Sequence, residues 1–176
     1  PAFALVGLRR RDPRGAEGAL TFFLVSVVSI AVMLYGVSLV YGATGSLHLD
    51  QIAAALADPA GRTSLATAGV LLTLVGLVFK VGAVPFHFWT PDVYEGAPIP
   101  VTALLSVASK AGGFGLLMRF LFFGLPGDSK TLEPLLDWRI IIAAMAAITM
   151  TLGNFAALRQ SNIKRMLAYS TIAHAG

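Results

Sequence analysis

The chain has 176 residues, of which 56% are hydrophobic and only 12% charged, with a mean hydropathy of +0.77. Soluble domains carry about 25% charged residues, so half that figure, with several apolar runs of about twenty, excludes an ordinary soluble fold and gives an all-α polytopic membrane protein. A net charge of +4 would suggest nucleic acid in a soluble protein; here the cations sit in short loops and set topology, and the absence of cysteine excludes disulfides and thiolate metal sites.

Residues 1–8 read as the end of an apolar segment, with no basic n-region and so no secretory signal. The first residue is proline and the last, Gly176, stops inside an apolar stretch, the pattern of an internal fragment. Arg9, Arg10, Arg11, Asp12, Pro13 and Arg14 form a basic loop. Residues 19–41 are uninterrupted and apolar, long enough at ~1.5 Å per residue to cross a ~30 Å hydrocarbon core. Residues 42–64 are polar and turn-rich, with a short interfacial helix expected near 48–56 and a solvated His48. A second span, 65–89, carries Lys80 and is broken at Pro85. A third, 100–124, carries Lys110, and a fourth covers 135–158. A basic loop, 159–165, leads into a truncated fifth span, 163–176.

Loops alternate sides. Arg9, Arg10, Arg11, Arg14, Arg159, Lys164 and Arg165 share one side; Arg62, Lys130 and Arg139 share the other with Asp50, Asp58, Asp128, Glu133 and Asp137. The positive-inside rule puts the first group in the cytoplasm. The 85–100 turn falls on that side too, yet carries Asp92 and Glu95, so it is expected to tuck into protein.

Lysine in hydrocarbon is costly, and an intramembrane lysine is a functional-site hypothesis by default. Lys80 lies ~22 Å into its span and Lys110 ~15 Å. Snorkelling serves lysines near helix ends; at these depths proton carriage is the sharper reading, because burial disfavours the charged amine. Ser106, one turn before Lys110, is positioned to solvate its amine, and Gly112, Gly113 and Gly115 permit close helix approach. Pro85 deprives the Val81 carbonyl of its helical partner, and broken helices at membrane depth occur only inside protein or beside wet cavities. Thr90, Pro91 and Asp92 read as an N-cap, a proline at N1 and a first-turn acid. His87, seven residues after Lys80, and His174, four after Ser170, are candidate proton relays. Asp92 and Glu95 are either acids of a proton entry path or structural groups of the short helix. Trp89, Tyr94 and Trp138 read as interfacial anchors. No metal-ligand cluster, phosphate loop or nucleophile–base pair is recognisable.

These residues carry a specific resemblance. Phe79 through Pro98, Pro100-Val101-Thr102, Ser106 through Lys110, Asn154 through Leu158 and Ser161 through His174 resemble the antiporter-like subunit N family of proton-pumping NADH:quinone oxidoreductase, the bacterial respiratory complex I. The resemblance implies a fold of fourteen helices with two inverted five-helix repeats, each containing a broken helix. This chain then runs from the end of helix five to the start of helix ten. Lys80 matches the lysine of broken helix seven, Lys110 that of helix eight, and His174 a histidine of helix ten. The family's helix-five glutamate would lie just upstream of Pro1, and its helix-twelve lysine beyond Gly176. The implied function is proton translocation coupled to electron transfer from NADH to quinone, in the bacterial inner membrane. The partners are other membrane-arm subunits and the lipid bilayer, not nucleic acid. NADH, FMN, iron–sulfur clusters and quinone belong to other subunits, with no cofactor or metal on this chain. Alternatives are a subunit of a multisubunit sodium/proton antiporter or of a membrane-bound hydrogenase, a small-solute transporter with its site at the break, and a structural scaffold.

Overall fold

The computed structural model describes residues 2–8, 12–61, 63–125 and 138–176. The charges at Arg9, Arg10, Arg11, Arg62, Asp128, Lys130, Glu133 and Asp137 lie outside the described residues, as does the start of the 135–158 span. The described residues form helices without strands. In chain order these are α1 (Ala2–Val6), α2 (Pro13–Thr44), α3 (Leu49–Ala57), a 3₁₀ turn (Pro59–Gly61), α4 (Ser64–Val81), α5 (Trp89–Gly96), α6 (Ile99–Leu104), a π segment (Leu105–Ser109), α7 (Lys110–Gly124), α8 (Trp138–Leu158) and α9 (Ile163–Ala175). Among the described residues, four stretches are long and apolar enough to cross a membrane: Pro13–Thr44, Ser64–Val81, Ile99–Gly124 and Trp138–Leu158.

Local chemistry sets the ends. Asp12 caps α2 by accepting the Arg14 N–H at 3.1 Å, with Pro13 just inside. Gly45, at φ 71°, closes its other end. The helix therefore extends past both ends of the 19–41 run, and its 32 residues rise ~48 Å, well over the hydrocarbon thickness. Thr63 caps α4 and Asn162 caps α9, each through its side-chain oxygen.

Two apolar clusters hold the bundle. Val40, Ile52, Leu56, Val70, Leu74, Leu77, Leu117 and Leu121 join α2, α3, α4 and α7. The α2–α4 seam is very tight: a Cβ on Gly36 would stand 2.5 Å from the Thr73 nitrogen, and one on Gly69 2.8 Å from the Val40 nitrogen. The second cluster surrounds α5 and contains Val6, Phe22, Phe79, Trp89, Val93, Tyr94, Ala97, Leu105 and Ala168. The acidic 85–100 turn is thus tucked into protein, as its charge mismatch implied.

Candidate functional site

The break in the second span is made by Gly82. At φ 78° it donates its N–H to Phe79 and Val78, and the next N–H, from Ala83, also returns to Val78. This paired return is the Schellman stop, which needs a left-handed residue and so favours glycine. The helix ends at Val81, four residues before the expected break at Pro85. The Val84 N–H is then satisfied from outside, by Thr149 Oγ1 of α8 at 3.0 Å. Phe88, not Thr90, is the N-cap of α5, and it makes no side-chain bond. Thr90 is fully buried and sits with Pro91 inside the first turn, where Pro91 forfeits no helical hydrogen bond.

Trp89 and Tyr94 are not interfacial anchors. They are 3% and 2% exposed, with Trp89 stacked on Phe22 at 4.8 Å and tilted against Phe79 at 5.6 Å. The second half of the broken helix folds inward, so its aromatics meet protein. Burial pushes the Tyr94 phenol up to about 12, so it stays protonated at physiological pH. Trp138 is half-buried, edge-on to Phe122 and beneath the Arg139 guanidinium.

Lys110 opens α7 and is 6% exposed. Its Nζ donates to the carbonyl oxygen of Thr171, in the middle of α9, at 2.8 Å. It forms no salt bridge among the described residues. Ser106 does not supply this solvation: its hydroxyl donates to the Ala103 carbonyl at 2.9 Å. Ser106 lies inside the π segment Leu105–Ser109 that leads into Lys110, so the i−4 spacing assumed for an α-helix does not hold. Such π turns recur at functional sites.

Lys80, in the last turn of α4, is exposed, which corrects its expected burial in this chain. It sits on the rim of the α2–α4 packing. Its side chain faces a groove of about 240 Å³, shared with Phe22, Ser26, Met33, Trp89 and Ser109. Its stem crosses α7 at Gly113, where a Cβ would stand 3.2 Å from Lys80 Cγ, one turn beyond Lys110. On the other side, Thr171 borders a groove of about 630 Å³ with Tyr94, Ser106, Ser170 and His174. Lys110 thus bonds a residue that lines the second cleft, and Lys80, which lines the first, packs on the same helix one turn beyond it. His174 is exposed, and its Nδ1 lies 2.7 Å from the Ser170 carbonyl. A carbonyl can only accept, so Nδ1 is the donor in this contact. His87 lies between the end of α4 at Val81 and the start of α5 at Trp89, not on a helix continuous with Lys80. His87 is half-buried, and its Nδ1, with Trp89 Nε1, Thr90 Oγ1 and Tyr94 OH, is buried without a partner among the described residues.

Asp92 and Glu95 are ion-paired. Arg165 bridges Asp92 Oδ1 at 2.7 Å and Glu95 Oε2 at 3.0 Å, and Arg14 meets Glu95 Oε1 at 3.2 Å. His48 is exposed at the start of α3. Among the described residues, no cluster of three His, Asp or Glu side chains could hold a metal. Sequence reasoning missed Thr149, Thr171 and the π segment, none of which leaves a local signal. It also missed Arg119, an exposed cation nine residues after Lys110 that the intramembrane-charge rule could have found.

Comparison with known proteins agrees with this fold. All of residues 1–176 match the family described as NADH:quinone oxidoreductase/Mrp antiporter, TM. NADH-quinone oxidoreductase subunit N 2 of Streptomyces griseus is 51% identical over 182 residues, covering 100% of this chain and 33% of that protein. Respiratory complex I of Thermus thermophilus with bound aureothin contains a chain of TM-score 0.80 and 41% identity, covering 99% of this chain and 35% of that one. A chain of the Mrp complex of a Dietzia species has TM-score 0.84 at 22% identity, a likeness of fold alone. The chain spans about a third of the length of these relatives. The resemblance to subunit N read from residues 79–174 holds, and so does a multi-pass place in the bacterial inner membrane. This chain belongs to the NADH:quinone oxidoreductase/Mrp antiporter transmembrane family.

Proposed function

We propose that the chain supplies part of a proton path in the subunit N of a proton-pumping NADH:quinone oxidoreductase, with Lys110 as its central carrier. One observation carries this: Lys110 is buried inside a membrane span, and its amine rests on a backbone carbonyl rather than a carboxylate. An amine donates to a carbonyl both as –NH₃⁺ and as –NH₂, so the proton can leave without breaking the contact. A tight ion pair would trap it. Lys80 and Ser109 in one cleft, and Ser106, Ser170 and His174 in the one that Thr171 lines, offer further polar groups. The orphaned polar atoms of residues 87–94 call for water or further protein groups as partners, which suits a hydrated route at the break.

NADH oxidation and quinone reduction belong to other subunits, and this chain binds neither molecule nor FMN nor an iron–sulfur cluster. Its partners are the membrane-arm subunits. Moving one charge across the membrane takes ~2.3 kcal/mol per 100 mV, which corresponds to under two pKa units at ~1.36 kcal/mol each. Rearranging one charged neighbour of a buried lysine is of that size. The test is Lys110→Ala in the intact complex in vesicles, with proton pumping and quinone reduction followed together. Both should fall at least ~10-fold; normal pumping at normal assembly rejects the reading.

A further inference from the structure

A connected set of polar bonds joins α5 to the start of α9 and of α2. The Glu95 carboxylate accepts from Arg14 Nη1 at 3.2 Å, from Asn162 Nδ2 at 3.1 Å and from Arg165 Nη1 at 3.0 Å. Arg165 also reaches Asp92 at 2.7 Å. Lys164 Nζ donates to the terminal carbonyls of α5, Glu95 at 3.1 Å and Ala97 at 3.2 Å. Asn162 does two jobs, because its oxygen caps α9 by accepting the Lys164 N–H at 2.9 Å. The first turn of α9 is thereby fixed to α5 through Asn162, Lys164 and Arg165, and α5 to the start of α2 through Arg14. The Glu95 side chain is 18% exposed, so these bonds are partly shielded from solvent and salt.

The same helix α9 holds Lys110. Thr171 is six residues after Arg165, ~9 Å along the axis, and its carbonyl accepts the lysine amine. An axial slip of α9 against α5 by one residue would move that carbonyl ~1.5 Å, stretching the 2.8 Å contact to ~4.3 Å, beyond hydrogen-bond reach, where the slip runs along the bond. We propose that Glu95 is a positioning residue: the clasp of Glu95, Asp92, Arg14, Asn162, Lys164 and Arg165 fixes the register of α9 on the broken helix, and so sets the Thr171 carbonyl at Lys110. Glu95 acts through geometry. A carboxylate engaged by three donors from two other helices is an anchor, not an entry-path proton carrier. This role rests on the Lys110 reading, because it supplies the geometry that reading requires.

The test uses the full-length subunit in the assembled complex, with pumping normalised to the amount of complex. Glu95→Gln should lower pumping per complex by roughly tenfold or more, since misplacement by ~1 Å at a reacting group can cost up to ~100-fold. The decisive variant is Glu95→Cys with Asn162→Cys; residues 1–176 hold no other cysteine, any elsewhere in the subunit is first replaced, and the same reagent on the complex without the pair is the control. Bridging the two thiols with a short bis-methanethiosulfonate reagent should restore at least half of the pumping, and reductant should remove it again. Pumping per complex that is unchanged in either variant overturns the proposal. So does a loss that the bridge does not repair, which returns the carboxylate to the proton path. Should the cysteine pair not assemble, Lys164→Gln removes the cap on α5 and leaves both carboxylates in place; unaltered pumping there overturns the clasp equally. Lys110→Ala is run alongside: normal pumping in it rejects the underlying reading, whereas its loss beside a normal Glu95→Gln rejects the clasp alone.

Discussion

Thr149 and Lys110 show how single polar groups are accommodated in this apolar bundle. Thr149 is fully buried; its hydroxyl donates to Met145 O at 2.6 Å and accepts the Val84 N–H at 3.0 Å. That N–H has no helical partner because α4 has already ended. Thr149→Val keeps the shape and removes the acceptor, leaving a buried donor unpaired at a cost of ~1–3 kcal/mol. The purified complex should lose a few degrees of thermal midpoint, and Thr149→Ser should recover most of it. An unmoved midpoint in Thr149→Val would show that the break does not depend on this bond. Lys110 was legible in the sequence, since a cation amid apolar residues stands out whatever the fold. Its partner was not, because a main-chain carbonyl 61 residues away has no letter of its own.

At the scale of the element, the broken helix was legible in position and not in cause. Pro85 attracts notice, but the stop comes from Gly82, whose positive φ is invisible in sequence and whose N–H closes the turn. The same limit explains Trp89 and Tyr94. Aromatics near a span end are commonly interfacial, yet here α5 folds back over Phe22 and Phe79, a tertiary choice no local window contains. Gly82→Ala should therefore be costly. A left-handed conformation costs a Cβ-bearing residue ~1–2 kcal/mol, and the added methyl would stand 3.2 Å from Thr90 Oγ1. A clear drop in thermal midpoint is expected, with Gly82→Asn intermediate because asparagine tolerates this region better. Equal midpoints for glycine, asparagine and alanine would mean that α4 is stopped by something other than its αL cap.

Across the whole molecule, loop charges and small residues have tertiary roles that composition disguises. Arg14, Lys164 and Arg165 count toward topology, but the fold also spends them on Asp92 and the end of α5, partners 67 to 81 residues distant in the chain. The α2–α4 seam is a comparable case. At Gly36 and Gly69 the obstacle to any side chain is backbone of the facing helix, which cannot swing aside as a flexible side chain would. Gly36→Val should force the two helices apart by more than ~1 Å and loosen the contact of Val40 with Val70, Leu74 and Leu77. Close approach through small residues is what drives helix association in lipid, where the hydrophobic effect between helices is absent. The damage should appear as loss of assembled complex, several-fold by native gel, with pumping per surviving complex near normal. Gly42→Ala, on the same helix, meets only Leu65 Cδ2 at 3.9 Å and should assemble normally. If both variants assemble alike, the seam tolerates separation, and the frame around Lys80 and Lys110 is held chiefly by the α5 cluster instead.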